Sequence, residues 1–348
     1  MLNVCFPRAE YSAPVYWECS GIAFGCGDVP GPALHSGMSL IVTGTIGIDT
    51  IETPAGELRE GVLGGSCAYF AAAAQHHGAV NIVAAVGEDF PAEHMTKLSG
   101  LKGVDRRGLE VRAGSKTFRW GGKYHDNMDH RDTTFTDLNV LIEAPPVVPE
   151  EYKNALYGFL ANAHPMVQLG MLEQLPKRKL AVADTMDLWI NTARAELDQL
   201  ITKVDGLVLN YDEAQLLTGH NNTVAAAKHI LEMGPSFVVV KKGEHGCLFV
   251  IRDESGIGIG ALPAFPAETV VDPTGAGDSF AGGMMGYLAH DQKGEPEFNL
   301  ARLKAALAHG TVMASFTIET FSLDRLASLT MNELGERFDE FARMLRVH

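Results

Sequence analysis

Residues 270–283 read Val270-Val271-Asp272-Pro273-Thr274-Gly275-Ala276-Gly277-Asp278-Ser279-Phe280-Ala281-Gly282-Gly283. A β-like stretch runs into a glycine-rich turn. The turn runs into an apolar helix that continues through Met284, Met285, Tyr287 and Leu288. Small residues at 275–277 let several backbone N–H groups converge on one point. The helix that begins there adds the positive end of its dipole. Together they predict a seat for a phosphate or a developing oxyanion. Asp278 is a carboxylate among those donors, and two readings attach to it. One is a helix N-cap, a position that Asp favours. The other is a general base that takes a hydroxyl proton while the amides hold a transferring phosphoryl group. Asp272 and Thr274 upstream, with Gly282-Gly283 downstream, favour the second.

Outward from this turn, short apolar runs alternate with helical stretches. Strands are expected at 40–44, 81–86, 157–160, 179–183, 206–210, 237–241 and 246–251. Helices are expected at 66–77, 91–99, 166–175, 191–201, 212–217 and 223–233. Continuous apolar strands between helices predict an α/β fold: a doubly wound, mostly parallel sheet covered on both faces. Residues 109–142 break the rhythm with alternating polar and apolar runs, and predict a small inserted β-sheet that acts as a lid. The last helix, 332–346, sets Leu334, Phe338, Phe341, Ala342 and Leu345 on one stripe.

Composition narrows the function. Of 348 residues, 28 are Lys or Arg and 43 are Asp or Glu, a net charge of −15. Nucleic acid and anionic membrane demand basic patches, so neither is expected as a partner. A small anion needs only a local positive field. No run of ~18 apolar residues suggests a transmembrane helix. Cys5, Cys19, Cys26, Cys67 and Cys247 form no C-x-x-C pair, which fits a reducing cytoplasm. Residues 1–37 carry three of the cysteines and lack a clear period. They are expected to be a loose extension arising from a start codon upstream of the true one, with the folded body spanning 38–348.

The segment Asp-Pro-Thr-Gly-Ala-Gly-Asp-Ser-Phe-Ala-Gly-Gly resembles the C-terminal signature of the ribokinase family, the PfkB-type carbohydrate and nucleoside kinases. The resemblance covers about residues 40–325. Its N-terminal counterpart is Gly44-Thr45-Ile46-Gly47-Ile48-Asp49, then Gly64-Gly65-Ser66, then Val86-Gly87-Glu88-Asp89-Phe90. The resemblance implies a ribokinase-like fold and transfer of the γ-phosphoryl group of ATP to a hydroxyl of a sugar or nucleoside, with a sugar favoured on the family's breadth. It implies Asp278 as base, with Gly275, Ala276 and Gly277 as the anion hole. Asp49, Gly64 and Gly65 would bind the acceptor's hydroxyls. Asn210 and Glu213 match an Asn-x-x-Glu that organises Mg²⁺ around the ATP phosphates. Lys242, Gly243 and Gly246 fall on the family's nucleotide loop, and Thr274 stands beside it. Family members often hold a monovalent cation such as K⁺ next to the anion hole, where Asp272, Thr274 and Ser322 are placed. The lid implies a homodimer contact.

Plainer readings stand beside these. Gly64-Gly65 also suits a strand-to-helix turn, Asn-x-x-Glu is also a capping box, and Lys242 is also a solvated lysine. His309, in the adenine-side helix, reads as packing. The lid's Arg119, Lys123 and Arg131 have no assigned place. His125-Asp126-Asn127-Met128-Asp129-His130-Arg131-Asp132 holds metal-ligand types but fits no familiar spacing. Tyr69 stands where sugar kinases often carry an acceptor-binding Asn, so the acceptor pocket departs from theirs. Asp184-Thr185-Met186-Asp187-Leu188-Trp189 departs from their Asp-x-Asn-x-Arg as well. A Rossmann dehydrogenase would need Gly-x-Gly-x-x-Gly straight after a strand, which is absent, as is a Walker A run. A non-catalytic sugar or nucleotide sensor would tolerate loss of Asp278, which is intact.

Overall fold

The computed structural model describes residues 40–128, 130–290 and 298–346. The expected loose extension, 1–37, lies outside the described residues. Thirteen strands follow in chain order. They are β1 Leu40–Thr43, β2 Gly47–Glu52, β3 Leu58–Gly64, β4 Val80–Gly87, β5 Val104–Arg112, β6 Phe118–Tyr124 and β7 Arg131–Asp137. After them come β8 Tyr157–Leu160, β9 Leu180–Asp184, β10 Gly206–Asn210, β11 Phe237–Lys241, β12 Cys247–Asp253 and β13 Gly256–Leu262.

Nine strands form the main sheet, in the order β13-β12-β11-β10-β9-β8-β1-β4-β5. It is parallel from β11 to β5, and β12 and β13 turn back antiparallel at one edge. Alternate side chains of each strand feed opposite layers. Leu40 and Val42 face one core and Ile41 the other, just as Phe237 and Val239 part from Val238 and Val240. A sheet covered on both faces must therefore be apolar at every position, which is why these runs were legible as strands. One layer holds the helices Ser66–Ala74, Ala276–His290 and Leu300–Thr317, and the other holds Pro165–Glu173, Arg194–Ile201 and Thr223–Glu232.

The second sheet is four-stranded, in the order β3-β2-β6-β7. This corrects the boundary of the inserted element. Leu109–Arg112 is not its first run but the end of β5, paired in parallel with Ala84–Gly87 of β4. An edge strand buried on one face alternates as a lid strand does, so the pattern could not tell them apart. The other half of the small sheet comes from β2 and β3, much earlier in the chain.

His309 is a packing residue. Its ring stacks on Tyr287 at 4.5 Å and on Phe338 at 4.2 Å, tying Leu300–Thr317 to the helices on either side. His309→Ala should lower the unfolding free energy by roughly 1–3 kcal/mol in urea denaturation, and an unchanged midpoint would remove the ring's structural role.

Candidate active site

Several parallel strands end on one rim of the main sheet, and there their apolar runs give way to polar residues. β1 leads to Gly44-Thr45, β9 ends in Asp184, β10 in Asn210 and β11 in Lys241. From β1 the chain winds outward through β4 and β5. It then returns to β8 on the other side and winds the opposite way. Open α/β sheets bind ligands at the carboxyl ends of strands where the order reverses. A cleft of about 990 Å³ lies over this point, between the rim and the second sheet.

The 270–283 turn forms its floor. Gly275 has φ +77°, and a Cβ there would overlap the Tyr69 ring. A Cβ at Gly277 would stand 2.9 Å from Lys241 Nζ. A side chain at Gly275 would have to displace the Tyr69 ring, and one at Gly277 would press on the far end of Lys241. The Ala276 N–H donates to Pro273 O at 3.1 Å and the Ser279 N–H to Gly275 O at 2.8 Å. Among the described residues, the Gly277 and Asp278 N–H groups have no carbonyl partner, as expected in a first helical turn. Asp278 lies half-buried at the same helix start. Burial and the charge of Asp184 push its carboxyl up to about 7, against the pull of Lys241 and Arg131.

The other expected residues divide. Asp49, Gly65, Tyr69, Asn210, Glu213, Lys242, Gly243 and Thr274 line the same cleft as Gly275, Ala276, Gly277 and Asp278. Gly64 acts one step back, since a Cβ there would overlap the Asp49 carboxylate. Burial, then repulsion from Asp272 and Asp278, pushes that carboxyl up to about 8. Gly65 has φ +99° and packs against Thr45 O, so it serves the strand-to-helix turn as well. Gly246 is not in the cleft wall. A Cβ there would overlap the Leu262 carbonyl, so the end of β13 is what demands this glycine. Tyr69 is 1% exposed, with its ring against Gly275 and its hydroxyl without a hydrogen-bond partner among the described residues.

Asn210 and Glu213 do form a capping box. The Glu213 N–H donates to Asn210 Oδ1 at 2.8 Å, and the Asn210 N–H donates to Glu213 Oε2 at 2.7 Å. Yet Glu213 is buried, and burial followed by the charge of Asp184 pushes its carboxyl up to about 8. A surface cap would feel neither. Two crowded carboxylates in a cleft wall are a donor set that a divalent cation would relieve. Asp272 is also buried. Its Oδ1 accepts the Thr274 N–H at 2.9 Å, and its Oδ2 has no partner among the described residues. Ser322, at φ +61°, donates its hydroxyl to Leu63 O at 2.7 Å.

Several cleft residues escaped the sequence reading. Lys241, rather than its neighbour Lys242, is the buried cation, with Nζ 3.4 Å from Asp184 Oδ2. The signal was a lysine closing an apolar central strand, but two adjacent lysines left the choice open. Of the three basic residues on the second sheet, Arg119 pairs with Asp89 at 3.3 Å and Lys123 with Glu52 at 2.6 Å. Arg131 instead lines the cleft, 5.5 Å over the Trp120 ring. Tyr124 joins the second sheet to the turn, its hydroxyl 2.9 Å from Thr274 Oγ1. The cleft lining also includes an apolar set, Phe118, Trp120, Leu138, Leu141 and Trp189. Trp189 Nε1 donates to Asn162 Oδ1 at 2.9 Å.

Known proteins share this sequence and arrangement. The sequence profile described as pfkB family carbohydrate kinase matches residues 171–326. A cytidine kinase from Thermococcus kodakarensis is 32% identical over 270 residues, 76% of this chain and 93% of that protein. Mouse (Mus musculus) ribokinase is 40% identical over 107 residues, 28% of this chain and 31% of that protein. Among solved structures, a Methanocaldococcus jannaschii nucleoside kinase superposes with a TM-score of 0.68 at 19% identity, covering 87% of this chain and 98% of that one. A Burkholderia thailandensis nucleoside kinase in complex with inosine gives 0.67 at 18% identity, covering 86% and 98%. These likenesses extend the ribokinase fold over the whole described body.

Gly275→Ala tests the floor of the cleft. The added methyl meets the Tyr69 ring in a backbone conformation that alanine resists. Stability should fall by about 1–3 kcal/mol in urea denaturation, and the same change made in a Tyr69→Ala background should cost less, because the ring it meets is gone. Equal stability of Gly275→Ala and the parent chain would show that the ring does not set the turn.

Proposed function

The chain belongs to the pfkB family of carbohydrate kinases and is a phosphotransferase with an alcohol group as acceptor; on that premise we propose that it phosphorylates a ribosyl hydroxyl of a nucleoside at the expense of ATP. The carrying observation is the apolar part of the cleft lining. Phe118, Trp120 and Trp189 stand there, and a second cavity of about 510 Å³ shares Leu138, Leu141, Ala163 and Trp189 with it. Val140, Ile142, Pro145, Met166 and Val167 also line that cavity, together with the polar Arg112, Glu143 and His164. A free sugar bears hydroxyls on nearly every carbon, and burying them against such a wall is costly. A nucleobase offers flat faces that suit aromatic and aliphatic walls. The cytidine kinase activity of the Thermococcus relative supports the same choice. Asp49, with Gly64 leaving room for its carboxylate, would hold the ribosyl hydroxyls.

In this reading the Asp278 carboxylate accepts the hydroxyl proton as the acceptor oxygen bonds to the γ-phosphorus. The bond from that phosphorus to the β–γ bridging oxygen breaks, and its electron pair leaves with ADP. Negative charge spread over the three equatorial oxygens meets the N–H groups of Gly277 and Asp278 and the dipole of the helix behind them. The nucleotide lies along Asn210, Lys242, Gly243 and Thr274. Glu213 and its neighbour Asp184 face the place of Mg²⁺, which when bound neutralises phosphate charge. The unpartnered Asp272 Oδ2 fits a monovalent cation beneath the turn. The second sheet, joined to Thr274 through Tyr124, serves as the lid that excludes water.

ADP release should be assayed against a panel of nucleosides and free sugars. At least one nucleoside should exceed ribose and fructose in kcat/KM by about tenfold, which is ~1.4 kcal/mol of discrimination. A sugar in first place would overturn the choice of acceptor. A base must be ionised to work, so with its carboxyl at about 7, kcat/KM should fall about tenfold per unit below that pH and level off above it. Asp278→Asn should cut kcat by roughly 10²–10⁴-fold and abolish that limb, and near-normal turnover would remove Asp278 from the chemistry.

A further inference from the structure

Lys241 has no task in the mechanism above, yet it is the most constrained cation in the cleft. Four apolar residues, Phe237 to Val240, carry it to the rim, and its side chain is only 16% exposed. Asp184 Oδ2, 3.4 Å from Nζ, is its one hydrogen-bond partner among the described residues. The other oxygen of Asp184 is taken by the Thr185 N–H at 2.8 Å. An ammonium has three protons to donate. One long bond leaves two of them without an acceptor, in a place where an unmet donor is costly. Nζ also lies 2.9 Å from where a Cβ of Gly277 would stand, beside the N–H groups that point into the anion seat. The carboxylates of Asp184, Glu213 and Asp278 keep the group charged against the cost of burial. An oxyanion on that seat would supply the missing acceptors.

We propose that Lys241 is a catalytic residue of this site, its ammonium held by Asp184 and bonded to the transferring γ-phosphoryl group beside the Gly277 N–H. The proposal rests on the kinase reading above and adds to it. Lys241 passes on no proton. Its charge stays in place while the acceptor's proton goes to Asp278 and the electron pair leaves with ADP, so it stabilises oxygens that gain charge in the transition state. The competing role is a plain counter-ion: Lys241 would exist only to neutralise buried Asp184.

The two roles part in a charge-balanced variant. Lys241→Met strands Asp184, whereas Lys241→Met with Asp184→Asn removes both charges and leaves no unpaired buried ion. Binding of ADP and of the non-hydrolysable ATP analogue AMP-PNP should be measured by calorimetry for the parent and both variants, with urea midpoints reporting the fold. ADP affinity should hold in the double variant, while AMP-PNP affinity falls at least about tenfold, the scale of a lost charge-assisted bond. Turnover should fall about 100-fold, as for loss of an anion-hole donor. Asp184 also faces the place of Mg²⁺, so Asp184→Asn alone is measured in the same way: it should keep most of the parent's AMP-PNP affinity and turnover, and a loss there as large as in the double variant would overturn the proposal. Recovery of AMP-PNP affinity and turnover in the double variant would reduce Lys241 to a counter-ion and overturn the proposal. If Lys241→Met alone does not fold, the double variant decides. If the parent phosphorylates no nucleoside or sugar, the kinase reading of the acceptor fails, and the AMP-PNP to ADP contrast still decides the place of Lys241.

Discussion

Two missing side chains set the geometry on which the site depends. At Gly275 the turn rests on the Tyr69 ring, and at Gly277 it rests on the Lys241 ammonium. The same economy continues into the helix behind it. A Cβ at Gly282 would overlap the Phe70 carbonyl of the helix Ser66–Ala74, and one at Gly283 would stand 2.8 Å from the His309 carbonyl. Core packing thus delivers the first helical turn to the cleft at a fixed height. The N–H groups of Gly277 and Asp278 are aimed by contacts two turns away as much as by their own.

Charge is the second constraint. The chain is acidic as a whole, and the cleft is more so. Asp49, Glu213, Asp272 and Asp278 all have carboxyls held above their ordinary range, with burial the largest cause in each case. Against these stand Lys241, wedged at the turn, and Arg131, reaching in from the second sheet. A site that is short of cations in itself gains from partners that bring them. An acidic protein can therefore accept a polyphosphate without a basic surface, since amides and a few placed charges do the work locally.

Much of this was legible in the chain. The runs at 40–44, 206–210 and 237–241 are apolar at every position because both faces of the sheet are covered, and they appear where expected. The Asp272–Gly283 segment announced its turn through residue size alone. The failures share one cause, which is that pairing between distant segments leaves little local trace. Leu109–Arg112 alternates like a lid strand but belongs to the edge of the main sheet. The lid's other half, β2 and β3, lies some seventy residues before β6 and β7 and was passed over, because register between distant strands is set by neighbours, not by sequence. A Cβ at Gly246 would overlap the Leu262 carbonyl, a demand on that glycine that only the folded chain shows.

The sequence by itself determined the α/β class, the glycine-rich turn at 275–278 and the family, because hydrophobic period, side-chain size and a contiguous motif are local properties. Tertiary structure alone decided which of two adjacent lysines is buried against Asp184, which of three basic residues on the second sheet lines the cleft, and that Tyr69 bears on the turn. It alone showed that the cleft adjoins a second cavity with which it shares Leu138, Leu141, Ala163 and Trp189. Those are facts of direction and distance between segments far apart in the chain. They arise only when packing brings Phe118, Leu141 and Trp189 to the same cleft as Asp278.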